Sequence, residues 1–402
     1  MRQNMIDNER KYLTSHPWIN FKLYLNRFPY TLWLLLGAAE SKCKHLAGIP
    51  LSPKKQEEIN QISLRKGAQA TTAIEGNSLT EDEVKRIVEH DPASFPRSKE
   101  YQRIEVENVV ASYNDIVAEI DDKDSCSVGY NQLLLDNKAI LKNLSLGEEV
   151  IPGELRAHSV LVGRYRGAPA EDCDYLLRKL FEWLKEDWGL ERDHKIIEGI
   201  LKAIMAHLYI AWIHPFGDGN GRSARMLEFR MLMAADVPHT AAHLFTTHYN
   251  DTRTEYYRNL ETTSRTNDGD PVAFLLYALQ GFVDALDKQI SVILEEQLNV
   301  TWSNYVYSLS DEKLTESQAR QRKLLLELSA FEKPIEPQEL KKRLSSELLG
   351  KYDKKTARAF NRDINALEKQ YLIFRVKGER KIFAAKDIVR AFLPICRRHQ
   401  AK

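Results

Sequence analysis

The sequence predicts a mainly α-helical protein, with one short β-hairpin in a helical body and a second in a basic C-terminal domain. Three observations predict it. Apolar residues recur at helical spacing through breaker-poor stretches such as 54–75 and 194–213, with only 18 glycines and 14 prolines in 402 residues. Short β-branched runs around glycine occur at 158–169 (HSVLVGRYRGAP) and 374–385 (FRVKGERKIFAA). Charge also divides the chain: residues 313–402 carry 23 Lys and Arg against 11 Asp and Glu, whereas 1–312 carry 35 against 46. A basic tail therefore follows an acidic body, and the length suits two or three units, which we set at 1–110, 111–300 and 301–402.

The elements follow in order. MRQNMIDNER at the N-terminus has no apolar signal core. TLWLLLGAA at 31–39 is well short of the roughly 18 residues a membrane span needs, so it reads as a core helix and no membrane partner is expected. Ile59, Ile62, Ala70, Ala73 and Ile74 give residues 54–75 an apolar face, predicting a helix that ends at Gly76. Thr80 with Glu83 is a capping box for the next helix, which makes EGNSL a corner. Polar segments within 121–153 bracket a further helix, and residues 158–169 form the hairpin. A broad apolar face from Ile196 to Ile213 then marks a central helix, which runs directly into HPFGDGNGRSAR, residues 214–225. Cys43, Cys126, Cys173 and Cys396 are far apart and form no CxxC pair, which argues against a disulfide framework or a zinc site and fits a cytoplasmic location.

The stretch 214–225 concentrates groups suited to phosphate chemistry. It is a glycine-bent loop feeding a new helix, RSARMLEFRMLMAAD, whose first amides lack intrahelical acceptors. Gly219 and Gly221 remove side chains that would keep an anion off those amides, while Arg222 and Arg225, three apart, share a helix face as phosphate donors. Asp218 is a hard oxygen ligand of the kind that holds Mg²⁺ together with substrate phosphates. His214, placed by Pro215 at the rim, suits a general base. These roles point to nucleotidyl or phosphoryl transfer. A calcium loop starting at Asp218 would want glycine and glutamate where Ser223 and Phe229 stand, and a P-loop would want lysine where Arg222 stands.

The same stretch closely resembles the Fic family signature HPFx[DE]GNGRxxR, matching at His214, Pro215, Phe216, Asp218, Gly219, Asn220, Gly221, Arg222 and Arg225. The resemblance implies a Fic-type helical core that moves AMP from ATP to a Ser, Thr or Tyr hydroxyl of a target protein and releases pyrophosphate. It implies that His214 takes the hydroxyl proton, Asp218 holds Mg²⁺ on the α- and β-phosphates, and Asn220 with the glycine amides fixes the α-phosphate. Arg222 and Arg225 would hold the outer phosphates. The Doc branch of the family has lysine at the position of Gly221 and transfers phosphate, so Gly221 favours AMP transfer.

Other segments extend the resemblance. PGELR at 152–156 with the hairpin after it resembles the segment leading into the family's flap, which aligns the target chain by strand pairing; Val160, Leu161 and Val162 are the flap candidates, and a plain surface hairpin is the alternative. TEYYRNLE at 254–261 resembles a helix near the nucleotide, which makes Tyr256 and Tyr257 candidates for adenosine contact or for core packing. The apolar run 271–289 reads as a core helix.

Glu75 falls at the C-terminal end of its helix, where the macrodipole disfavours a negative charge by about 0.3–1 kcal/mol, so a compensating partner is expected. TTAIEG at 71–76 resembles the family's inhibitory motif [ST]xxxE[GN], matched by Thr71, Glu75 and Gly76. By that resemblance Glu75 pairs with Arg225, denies it to the γ-phosphate and makes the enzyme autoinhibited. Removal of AMP with Glu75 orienting a water, and a nucleotide-sensing DNA-binding regulator, are the alternatives.

In the tail, ESQARQRKLLLELS, EPQELKKRL and KKTARAFNRDINALEKQYLI precede two short β-like runs around Gly378, an order that resembles a winged helix-turn-helix domain. Lys354, Lys355, Arg358 and Arg362 on the third helix and Lys377, Arg380 and Lys381 around the wing would contact DNA phosphates. Protein contact or homo-oligomer formation is the alternative use of this domain.

Overall fold

The computed structural model describes residues 10–49, 51, 53–89, 95–123, 127–163, 165–190, 192–265, 269–309, 314–331, 333–353 and 358–390. The chain is mainly helical, with two short antiparallel hairpins, and divides into units Met1–Gln289 and Ile290–Lys402. Cys126, Cys396, Lys354 and Lys355 lie outside the described residues.

The first unit contains α1 (Tyr30–Ala47), α2 (Pro53–Ile74), α3 (Glu81–Val88), α4 (Glu100–Lys123), α5 (Tyr130–Ile140), β1 (Leu161–Val162), β2 (Tyr165–Arg166), α6 (Cys173–Lys185), α7 (Lys195–Ile213), α8 (Asn220–Ala234), α9 (Leu244–Asp251) and α10 (Arg253–Arg265). A further helix, α11 (Val272–Ser308), begins in this unit and ends in the second, running well past the expected stop at 289.

The core is built around α7 and α8. From Ile200 to Ile213 every residue of α7 is buried except Lys202 and Ala211, which is why its apolar face is so broad. Among the described residues it is the one helix long and apolar enough to cross a membrane, and 78% of its most apolar window is buried inside the protein. Packing therefore accounts for its apolarity. Along α8 the charged residues Arg222, Arg225, Glu228 and Arg230 are buried too, and burial at that depth demands partners. Arg230, for instance, pairs with Asp136 at 2.8 Å and Glu119 at 2.7 Å.

Local signals set several boundaries. The Thr80–Glu83 capping box forms with both of its hydrogen bonds and starts α3. Helix α2 stops at Ile74, one residue short of the expected end, so Glu75 lies just beyond it. The loop before α8 enters the helix at Asn220, ahead of the expected Arg222, because Gly219 takes a left-handed φ of 77° that turns the chain directly into it. The hairpin is narrower than the sequence suggested, with Leu161 opposite Arg166 and Val162 opposite Tyr165, and Val160 lies outside the strand.

In the second unit α12 (Glu316–Ser329) opens on a Thr315–Gln318 capping box, followed by α13 (Pro337–Lys342), α14 (Ser346–Asp353), which the sequence reading did not separate, and α15 (Ala359–Lys369). β3 (Ile373–Arg375) and β4 (Ile382–Ala384) then pair antiparallel. Leu324, Leu328, Leu340, Leu348, Ile364 and Ile382 share one hydrophobic core, with a buried Arg320–Asp363 ion pair at 2.6 Å beside it.

Candidate active site

The site begins where α7 ends. His214 caps that helix in the left-handed region at φ 52°, an uncommon conformation for a residue with a side chain, and its amide still donates to Ile210 at 2.8 Å. The turn throws the imidazole into a cavity of about 450 Å³. Glu75, Gly221 and Arg225 line this cavity with His214, while Trp212, Tyr165, Tyr256, Tyr257 and Leu260 make apolar walls and Arg253 and Glu261 add charge. A cavity of this size suits a small-molecule ligand.

Loss of water around the His214 ring pushes its pKa down to about 4, helped by the nearby Arg156 charge and opposed by a hydrogen bond to the Ala211 backbone carbonyl and by Glu75 and Asp218. The imidazole is therefore neutral near pH 7, as a proton acceptor must be.

Asn220 is placed differently from expectation. Its side-chain oxygen accepts from the Phe216 amide and its nitrogen donates to the Phe216 carbonyl, both at 2.8 Å, so the amide closes the loop on itself. Both ends of that side chain are spent on loop geometry.

The two signature arginines go to different partners. Arg225, 1% exposed, donates from Nε to Thr71 Oγ1 at 2.8 Å, and from Nη2 to the Thr71 carbonyl at 2.9 Å and Glu75 Oε1 at 2.6 Å. This cation is the partner expected for a carboxylate at the end of α2, and it also satisfies a terminal helix carbonyl. Burial raises the Glu75 pKa, but the charge and hydrogen bond of Arg225, with Arg222 and His214 further off, outweigh it and hold the carboxyl below its usual range. Gly221 makes the approach feasible: a Cβ there would lie 2.2 Å from Glu75 Oε1.

Arg222 donates to Glu105 Oε1 and to Asp218 Oδ1, each at 2.7 Å, and does not line the cavity. Its Nε is buried without a hydrogen-bond partner. Glu105 also accepts from Asn77 at 2.8 Å, two residues beyond Glu75, so one buried carboxylate touches both the corner after α2 and the signature loop. Nothing in the sequence distinguishes Glu105 from the other glutamates of α4.

Tyr256 is buried in the core, hydrogen-bonded through its hydroxyl to His207 Nε2 at 2.8 Å and stacked on Tyr249, with one side facing the cavity. Tyr257 is 39% exposed and stands at the mouth. In the hairpin Leu161 and Val162 point outward, 64% and 43% exposed, and Val162 reaches the cavity. Among the described residues no group of three or more His, Cys, Asp and Glu could hold a metal ion.

Part of the chain is similar to known proteins. Residues 130–232, from the start of α5 almost to the end of α8, match the Fic/DOC family. This segment is similar to the Fic/DOC domain. The chain is distantly related to proteins named protein adenylyltransferase: fic-1 of Caenorhabditis elegans, 26% identical over 245 residues, and Fic of Nematostella vectensis, 25% identical over 248. Those alignments cover 61% and 60% of this chain but only 44% and 52% of the relatives, so the chain spans about half their length. In fold it resembles a Fic family protein from Desulfovibrio desulfuricans, with a TM-score of 0.51 at 18% identity over 87% of this chain and 95% of that one. It also resembles Fic-1 of C. elegans, with a TM-score of 0.51 at 21% identity over 65% of this chain and 72% of that one. Glu75, Glu105 and α10 lie outside the matched Fic/DOC segment yet line or brace the same site.

Proposed function

We propose that the Fic/DOC domain is a protein adenylyltransferase held in an inhibited state by Glu75. The observation that carries this reading is the Glu75 carboxylate seated on Arg225 in the same cavity as the neutral His214 and Gly221. In the reaction, a cavity-facing nitrogen of His214 takes the proton of a Ser, Thr or Tyr hydroxyl as that oxygen bonds to the α-phosphorus of ATP. The bond from that phosphorus to the bridging oxygen breaks, and pyrophosphate leaves with its electrons. The free amides at the start of α8 and the side chains of Arg222 and Arg225 receive phosphate oxygens.

The donor set fits a divalent cation shared with a nucleotide, because Asp218 is a half-exposed carboxylate and Arg222 beside it has a buried N–H to spare. Asp218 would hold Mg²⁺, which supplies neutralisation of phosphate charge. Trp212, Tyr257 and Leu260 offer apolar surface to the adenosine. Glu75 and the γ-phosphate carry the same sign and compete for one arginine, so a seated Glu75 excludes the productive pose. Incubating wild type and Glu75→Gly with labelled ATP, Mg²⁺ and a lysate tests this. Labelled protein bands from the variant and weak labelling by wild type support it, and a variant that binds ATP yet labels nothing rejects it.

A second reading concerns residues 290–402. On α15 the exposed residues Arg358, Asn361, Arg362, Asn365 and Lys369 fall on one face, and Arg375 of β3 donates to Asn365 at 3.1 Å, joining that face to the hairpin. Arg358, Arg362, Lys377 and Arg380 make no side-chain ion pair among the described residues. We propose that this face contacts DNA phosphates, in keeping with a run of helices, α12 to α15, followed by a hairpin.

A further inference from the structure

Arg156 is 4% exposed yet makes no ion pair among the described residues. It spends its guanidinium on backbone carbonyls of three separate segments. Nε donates to His214 at 2.7 Å, Nη1 to His158 at 2.6 Å, and Nη2 to Ala168 and, at 3.3 Å, to Ile213. His158 and Ala168 are the two stems of the β1–β2 hairpin, and Ile213 and His214 are the end of α7. The Arg156 amide adds a bond to the Pro215 carbonyl at 3.0 Å, and Leu155 bridges to Phe216. One buried cation thus ties both hairpin stems to the carbonyl of His214, the residue held in a left-handed turn at φ 52°.

The opposite side of this joint is equally tight. A Cβ on Gly167 would lie 2.8 Å from His214 Cβ and 3.0 Å from Arg156 Nη2. The hairpin's second strand has other anchors, since Tyr165 donates to the Trp212 carbonyl at 2.7 Å and His16 meets the Arg166 carbonyl at 2.9 Å. The His158 stem is tied to the end of α7 through Arg156, and His158 Nδ1 also lies 3.4 Å from Glu149 Oε2.

We propose that Arg156 is a positioning residue that fixes the hairpin and the His214 base at one mutual distance, so that a hydroxyl presented along the hairpin meets the imidazole. This rests on the transferase reading above. A guanidinium suits the task because its planar fork reaches several acceptors at fixed angles, whereas a lysine ammonium is a single point on a flexible stem. Arg156 does not line the cavity, so its loss leaves the nucleotide walls in place.

The experiment places Arg156→Lys and, separately, Gly167→Ala in the Glu75→Gly background. Gly167→Ala keeps every charge and wedges the same joint from the other side. For both variants we expect kcat for transfer to a protein target to fall by about 10²-fold, as displacement of a reacting group by about 1 Å does, with the Kd for ATP unchanged. Amide exchange should quicken at 158–168 and at 213 and 214, and nowhere else. Unchanged kcat in both variants overturns the proposal, as does a loss of ATP binding in step with transfer in both, which would mark a general structural role. If Glu75→Gly itself transfers nothing, the transferase reading fails, and the exchange pattern alone decides whether Arg156 locks the joint.

Discussion

Two arginine-rich regions of this chain use the same residue in opposite ways. In the signature loop and α8, Arg222 and Arg225 are 4% and 1% exposed, and each is committed to a carboxylate. At the start of α15 and on its first turn, Arg358 and Arg362 are exposed and make no ion pair among the described residues. These guanidinium groups are already taken by carboxylates, so an incoming phosphate must displace the carboxylate; on the inhibitory reading this makes the first region a switch. An exposed arginine is compensated by water and salt and gains from a polyanion only by accumulation, which makes the second region a graded attractor.

The sharpest break in the comparison comes from removing the chemistry that only the buried region serves. His214→Ala in the Glu75→Gly background should cut AMP transfer by about 10²–10⁴-fold, the range of general-base catalysis, while calorimetry still detects ATP binding. Retained transfer would remove His214 from the mechanism. Next in size is the exchange itself. Glu75→Gly should raise labelling about 10–100-fold, the equivalent of a charge-assisted hydrogen bond of about 1.5–3 kcal/mol. Adding Arg225→Ala should abolish that gain, because switch and phosphate share one anchor. A double variant as active as Glu75→Gly would mean that the pair is not the switch.

In the exposed region the expected change is gradual. Replacing Arg358 and Arg362 with alanine should lower the salt slope of DNA binding by roughly 1.8, at about 0.9 per phosphate contact, and leave thermal stability within about 0.5 kcal/mol. Binding undetectable at low salt in wild type would favour a protein partner. The smallest expected effect is none at all. Since burial holds the His214 pKa at about 4, below its ordinary 6.5, the imidazole stays deprotonated as pH falls from 7 to 5, and transfer by Glu75→Gly should show no His214 acid limb in that window. Stability should respond there instead. The unfolded chain takes up the proton near 6.5 and the folded one does not, so the His214 contribution weakens the fold as pH drops from about 6.5 towards 4.

Much of this was legible in the sequence. The apolar periodicity of 194–213 fixed α7, the Thr80–Glu83 pair fixed the start of α3, and two distant motifs anticipated the meeting of Glu75 with Arg225. What escaped were the buried polar partners. Arg156 closes the PGELR segment and Glu105 sits in an ordinary helix, yet their importance comes from which carbonyls and cations surround them, and a period of 3.6 carries no such information. The same limit explains Arg222, read as Arg225's equal from spacing but turned towards α4, and Asn220, whose amide closes its own loop. Tyr256 showed its aromatic character in the sequence but not the contact of its hydroxyl with His207 Nε2 that holds it in the core.

Glu75 and Arg225 are 150 residues apart in the chain, with the glutamate first. Synthesis is directional, so at about 5–20 residues per second α2 leaves the ribosome roughly 8–30 s before the arginine that it will hold. On the inhibitory reading, the guard is waiting when the signature loop is made. On that reading the nascent protein would have no interval in which a folded site stands unguarded, and activation would be a later event in its lifetime.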